Sequence, residues 1–108
     1  MTVKELIDKC DLNAVALPTP DKEIAGVYVG DLLSWVMGRA EAGNVWITIM
    51  SNVNVMAVAS LTDVSCVVLA EGVTLDEEVL SVAEAKGINV LSSDAPIYET
   101  ALKIGGTL

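Results

Sequence analysis

The chain has 108 residues and no histidine, and its two cysteines, Cys10 and Cys66, stand far apart. That inventory removes zinc-type clusters and Cys/His nucleophile pairs. Both cysteines are expected to be reduced, with Cys66 in the core of the apolar run "SCVVLA". Cations are scarce as well: 6 Lys and Arg against 15 Asp and Glu give a formal charge of −9. A chain this acidic repels phosphate backbones, so no nucleic acid is expected as a partner. No run approaches the roughly 20 apolar residues of a membrane span, because Asn52, Asn54 and Asp63 interrupt the most apolar region. The opening "MTVKELIDKC" is a charged amphipathic segment rather than a signal peptide. The expectation is a cytoplasmic protein without a membrane partner.

What the chain does have is apolar residues: 53% of the total, with a mean hydropathy of +0.57. Its length allows one domain, spanning 1–108, with a single sizeable core. So apolar a short chain either covers both faces of a sheet or buries part of its surface in an oligomer.

Punctuation along the chain sets the element order. Thr2 and Glu5 make a capping box that starts a short helix through about Lys9. "NAVAL" reads as a strand, "PTPDKE" as a turn, and "IAGVYVG" as a second strand ending at Gly30-Asp31. Asp31 is placed to cap the helix "LLSWVMGRA", which Gly43 closes. "NVWITIM" is a strand, "SNVN" a turn, "VMAVASL" a helix and "SCVVLA" another strand. Thr74 and Glu77 suggest a second capping box for a helix with Leu75, Val79, Leu80 and Ala83 on one face and Gly87 at its end. "INVL" is the last strand, and "SSD" caps a final helix with Pro96 in its first turn. From Gly26 onward strands and helices alternate over short loops. The implied fold class is α/β: one domain, a mostly parallel sheet of four to five strands, and helices on both faces.

Ligands of such sheets gather at the carboxyl ends of the strands. Four turns occupy that edge, at Gly30-Asp31, Ser51 to Asn54, Glu71-Gly72 and Ser92-Ser93-Asp94. The candidate ligand contacts are Thr48, Ser51, Asn52, Asn54, Glu71, Gly72, Ser92, Ser93 and Asp94. Helix N-termini there favour anions. None of the basic residues falls in these turns, however, and three turns carry a carboxylate (Asp31, Glu71, Asp94). A polyphosphate would need Mg²⁺ or a cation from a neighbouring subunit. Neither G-x-x-x-x-G-K-[ST] nor G-x-G-x-x-G occurs. Against these roles stand simpler ones. Asp31 and Asp94 read first as helix caps, and Asn52 and Asn54 as caps or Asx-turn residues. The carboxylates are too dispersed for a metal site. Trp35 and Trp46 read as core or interface.

The stretch "CVVLAEGVTLDEEVLSVAEAKGINVLSSDAPIYETALKI" resembles the DRTGG domain and the related N-terminal domain of HPr kinase/phosphorylase. Ala83, Ile88, Val90, Leu91, Asp94, Tyr98, Thr100 and Ala101 carry the pattern, and the resemblance extends over Gly26 to Ile104. Ser51-Asn52-Val53-Asn54 stands where the family commonly has a "G-D-R-x-D"-like turn, and Ala70-Glu71-Gly72 where it has "T-G-G". The arginine is therefore absent. The resemblance implies a regulatory or dimerisation module rather than a catalyst, and no kinase activity. The resulting expectation is a non-catalytic homodimeric module, without a cofactor, sensing a small ligand such as an adenine nucleotide in the crevice. The alternative is a docking or assembly module for a protein partner, with no small ligand. An enzyme would have only carboxylate acid–base chemistry available.

Overall fold

In the computed structural model, which describes residues 1–108, the Thr2/Glu5 capping box closes in both directions. The Glu5 N–H donates to Thr2 Oγ1 at 3.2 Å and the Thr2 N–H to Glu5 Oε1 at 3.0 Å. Those bonds hold the Glu5 carboxyl below its usual range. They start α1 (Val3–Cys10), which ends at Asp11 in the left-handed region (φ 52°). The chain continues through β1 (Asn13–Ala16), β2 (Val27–Val29), α2 (Leu33–Arg39), β3 (Val45–Thr48), α3 (Val53–Thr62) and β4 (Cys66–Leu69). It closes with α4 (Glu77–Lys86), β5 (Val90–Ser92) and α5 (Ile97–Gly105).

The strands lie in the order β1-β5-β4-β3-β2. β2 to β5 are parallel and β1 adds antiparallel at the outer side of β5. Strands laid down in one direction with right-handed crossovers place every connecting helix on the same side. Accordingly α2, α3 and α4 pack on one face, where Val36, Met56 and Ala83 meet Trp46, Val67, Leu69 and Val90. α1 and α5 cover the other, where Leu6, Cys10 and Ile104 meet Val45, Ile47, Cys66, Val68 and Leu91. The alternation along β3 and β4 sends successive side chains into the two cores, so every residue of both strands is buried. The three-layer α/β/α reading of the sequence describes this arrangement.

α3 is the middle helix of its layer, flanked by α2 and α4. That position explains its nearly continuous apolar character: Val55, Met56, Val58 and Ala59 are buried, while Leu61 stays 73% exposed. Both cysteines are free and buried in the second core. Burial pushes the Cys66 thiol up to about 12.

Where the chain re-enters the sheet at the strands' amino ends, two buried asparagines hold the loops. Asn44 donates to the Ala25 carbonyl at 2.8 Å and accepts the Glu41 N–H at 2.9 Å. Asn89 accepts the Thr19 N–H at 3.0 Å and donates to the Thr19 and Ser65 carbonyls. Their burial is tolerated because their polar atoms find partners.

Three local expectations are corrected. The Thr74/Glu77 capping box does not form: α4 starts later, with Asp76 at its N-cap, because Val73 and Leu75 are drawn into the first core and keep the preceding segment extended. α2 ends at an extended Ala40, not at Gly43. Gly43 (φ 83°) instead serves the turn into β3, where a β-carbon would stand 3.1 Å from that of Ala25. Pro96 is the N-cap of α5 rather than a residue of its first turn.

Candidate functional site

All four loops named from the sequence meet at one rim, because β2 to β5 are parallel and each runs toward it. At the β4/β5 end the chain parts: α4 leaves to one face and α5 to the other. In open α/β sheets that parting is where a ligand crevice forms. Here the protein's own groups fill it. The Glu71 N–H donates to the Ala95 carbonyl at 2.9 Å, the Gly72 N–H to the Ser93 carbonyl at 3.0 Å, and the Ser93 N–H to the Leu69 carbonyl at 2.8 Å. Glu71 takes the left-handed region (φ 62°), as does Gly72 (φ 72°). Its side chain then reaches α5, and Oε2 accepts the Ile97 N–H at 2.8 Å. A carboxylate thus sits where the partial positive charge of α5 would attract an anion. Ser93 Oγ accepts the Ala95 N–H at 3.2 Å and the hydroxyl of buried Thr100 at 3.1 Å.

This arrangement corrects the assignment of Asp94 as the cap of α5. Asp94 is exposed and makes no capping bond; the carboxylate serving that helix comes from Glu71, twenty-six residues before Ile97. Asp94 lies over Gly72, where a β-carbon would stand 3.7 Å from its Oδ1.

At the β2/β3 end the other sequence-assigned cap is corrected in the same way. Leu32, not Asp31, is the N-cap of α2, and no side chain bonds to that helix start. Asp31 instead ties two strand ends together, its Oδ1 accepting the Thr48 hydroxyl at 2.8 Å and the Ile49 N–H at 3.0 Å. Thr48 is fully buried, and its oxygen also accepts the Met50 N–H at 3.2 Å. Thr48 therefore positions the turn and does not face solvent.

Beyond that tie the rim is loose. Asn52 caps α3, accepting the Asn54 N–H at 2.9 Å, and both asparagines are exposed. Ser51 and Ser92 are half-buried. α3 has no acidic residue in its first turn or in the loop before it. The other helix starts at this rim all have one: Asp31 precedes α2, Asp76, Glu77 and Glu78 begin α4, and Glu71 serves α5. No Lys or Arg lies in the four turns. Lys22 pairs with Asp63 at 2.8 Å, Lys103 donates to the Cys10 carbonyl at 3.0 Å, and Arg39 stacks on Trp35 at 3.9 Å. The rim carboxylates do not converge into a metal-ligand cluster. The candidate site is therefore the solvent-facing rim formed by these turns, with Asn52, Asn54 and Asp94 exposed along it.

Sequence reasoning missed the partners rather than the positions. Nothing local in "AEG" or "GDL" says that Glu71 reaches Ile97 or that Asp31 reaches Thr48, since both bonds cross between loops separated in sequence.

Comparison with known proteins gives two findings. The model of the DRTGG domain family matches residues 20–107. In fold, the chain is similar to the crystal structure of the CBS and DRTGG domains of the regulatory region of Clostridium perfringens pyrophosphatase, complexed with its activator diadenosine tetraphosphate. The TM-score is 0.76 at 17% sequence identity, over 99% of this chain and 47% of that one. This chain therefore spans about half the length of that neighbour. No curated protein matches it. No helix is long and apolar enough to cross a membrane.

Proposed function

The chain belongs to the DRTGG domain family, and from that premise we propose that it is a non-catalytic regulatory module that binds an adenine nucleotide at the rim and works as a homodimer. The observation that carries the ligand reading is the start of α3, the one helix N-terminus on the rim with no carboxylate beside it. A phosphate group approaching there meets backbone N–H groups without displacing a protein anion. Exposed Asn52 and Asn54 supply amide donors and acceptors, with Ser51 beside them. Gly72, Ser92 and Asp94 line the farther part of the rim. Thr48, Glu71 and Ser93 hold the turns in place through the bonds described above. With a net charge of −9 and no cation at the rim, binding gains from Mg²⁺ or from a basic group of a second subunit.

The non-catalytic reading is supported by the chemistry of the residues present. Histidine is absent, Cys66 is a buried thiol with a raised pKa, and Asp31 and Glu71 are committed to structural bonds. A second reading, a docking module without a small ligand, is favoured by exposed apolar side chains such as Trp35, at 54%.

Isothermal titration with AMP, ADP, ATP and a dinucleoside polyphosphate, each with and without Mg²⁺, separates the two. Saturable binding that is lost in Asn52→Ala/Asn54→Ala supports the nucleotide reading. Absence of heat with every ligand favours the docking module.

A further inference from the structure

The two edges of the sheet are protected to different degrees. At β1 the register shifts between Ala14 and Ala16, and the chain leaves through Pro18 and Pro20. Bulges and prolines are devices that keep an edge from pairing with another chain. At β2, "VYV" carries no charge, proline or bulge. Gly26 accepts from Val45 and Gly30 donates to Ile47, so these even-numbered positions face β3. Val27 and Val29 therefore turn their N–H and C=O groups outward along the open edge.

The helix above that edge adds side chains. α2 points Leu33, Val36 and Ala40 at the core. Helical spacing then puts Leu32, Trp35 and Arg39 on one flank. With α3 on the other side and a right-handed crossover, that flank overhangs β2. Leu32 is 59% exposed, Trp35 54% and Val29 45%. Arg39 has no carboxylate partner in its own chain, and Asp31 has no cation.

We propose that the β2 edge and the Leu32–Trp35–Arg39 flank form the interface between two copies of this chain, with β2 pairing antiparallel to its symmetry mate. This places on the structure the dimer of the functional reading above, and rests on it. A two-fold axis through Tyr28 and perpendicular to the sheet joins the two sheets into one and closes about four backbone hydrogen bonds between Val27 and Val29 of the two copies. It also sets the two α2 helices side by side and antiparallel. Trp35 then meets Trp35 near the axis. α2 runs against β2, so Arg39 lies at the strands' amino-end edge. The axis carries it to the carboxyl-end edge of the other copy, where Asp31 lies. Despite the net charge of −9 on each copy, the unpartnered Arg39 of one thus lies on the side of the other's uncompensated Asp31, whose bonds to Thr48 and Ile49 stay in place. This local charge pairing selects a second copy of the chain as the occupant. The same operation brings a cation to a rim that has none of its own.

The test is sedimentation equilibrium on the whole chain, with folding of each variant checked by circular dichroism. The wild type is expected to be a dimer at micromolar concentration. Val29→Lys and Trp35→Ala alter exposed side chains and should each raise the dimer dissociation constant by at least about tenfold. Arg39→Asp should weaken the dimer as well. Leu102→Lys, on the α5 surface, should leave it unchanged. A monomeric wild type overturns both this interface and the dimer reading. A dimer insensitive to Val29→Lys and Trp35→Ala but broken by Leu102→Lys overturns this interface alone.

Discussion

The two ends of the rim use similar residues to different effect. At β4/β5, backbone and side chains knit two loops and a helix start together, with Glu71 serving α5 and Ser93 joined to Thr100. At β2/β3, one tie from Asp31 to Thr48 and Ile49 fixes the strand ends, and beyond it Asn52 makes only a local cap. The site that topology marks as the ligand crevice is thus the one the protein has filled, while the plainer turn stays open. A position at a strand's carboxyl end is therefore not sufficient for a binding role. What decides is whether the polar groups there are already satisfied within the chain.

Stability measurements on single variants can break this comparison, and the largest effect is expected at the buried tie. Thr48→Val keeps the shape but leaves Asp31 and the Met50 N–H each short of a partner, at a cost of about 2 kcal/mol in urea unfolding. Glu71→Ala removes the carboxylate from α5 and should cost about 1.5 kcal/mol, with Glu71→Gln recovering part of it by keeping an acceptor. Asn52→Ala loses a local cap and should cost about 1 kcal/mol. If Asn52→Ala proved as damaging as Thr48→Val, the open end would be structural too, and the contrast would fail.

The smallest effect concerns the other local cap, at α1. The Glu5 carboxyl is held low by its bonds to Thr2, so its contribution is present above the ordinary carboxylate range and is lost as pH falls through its folded value. Protection factors in the first turn of α1, taken relative to intrinsic exchange at each pH, should fall on acidification well before those in β3 and β4 do.

Much of this fold was legible along the chain. Continuous apolar runs at "VWIT" and "CVVL" mark strands buried on both sides, and Gly87 ends α4 as its left-handed φ requires. The antiparallel direction of β1 was not legible, because "NAVAL" pairs equally well either way until α1 and β5 fix its position. The candidate residues at the rim were legible as positions but not as roles. Asp31 and Asp94 both precede helices at a spacing that suggests a cap, yet Asp31 bonds to Thr48 and Asp94 is left exposed. Short-range spacing carries no information about a partner seventeen or twenty-six residues away.

The most direct test of the account is thermal stabilisation by adenine nucleotides, compared across wild type, Asn52→Ala/Asn54→Ala and Glu71→Ala. A nucleotide at a hundred times its dissociation constant stabilises by about 2.7 kcal/mol. For a domain of this size that is an upward shift on the order of 10 °C. That shift is expected in the wild type and in Glu71→Ala, measured from that variant's own lower midpoint, and should be lost in the asparagine double variant. A shift that survives in the double variant and disappears in Glu71→Ala would place the ligand at the knitted end and contradict the account.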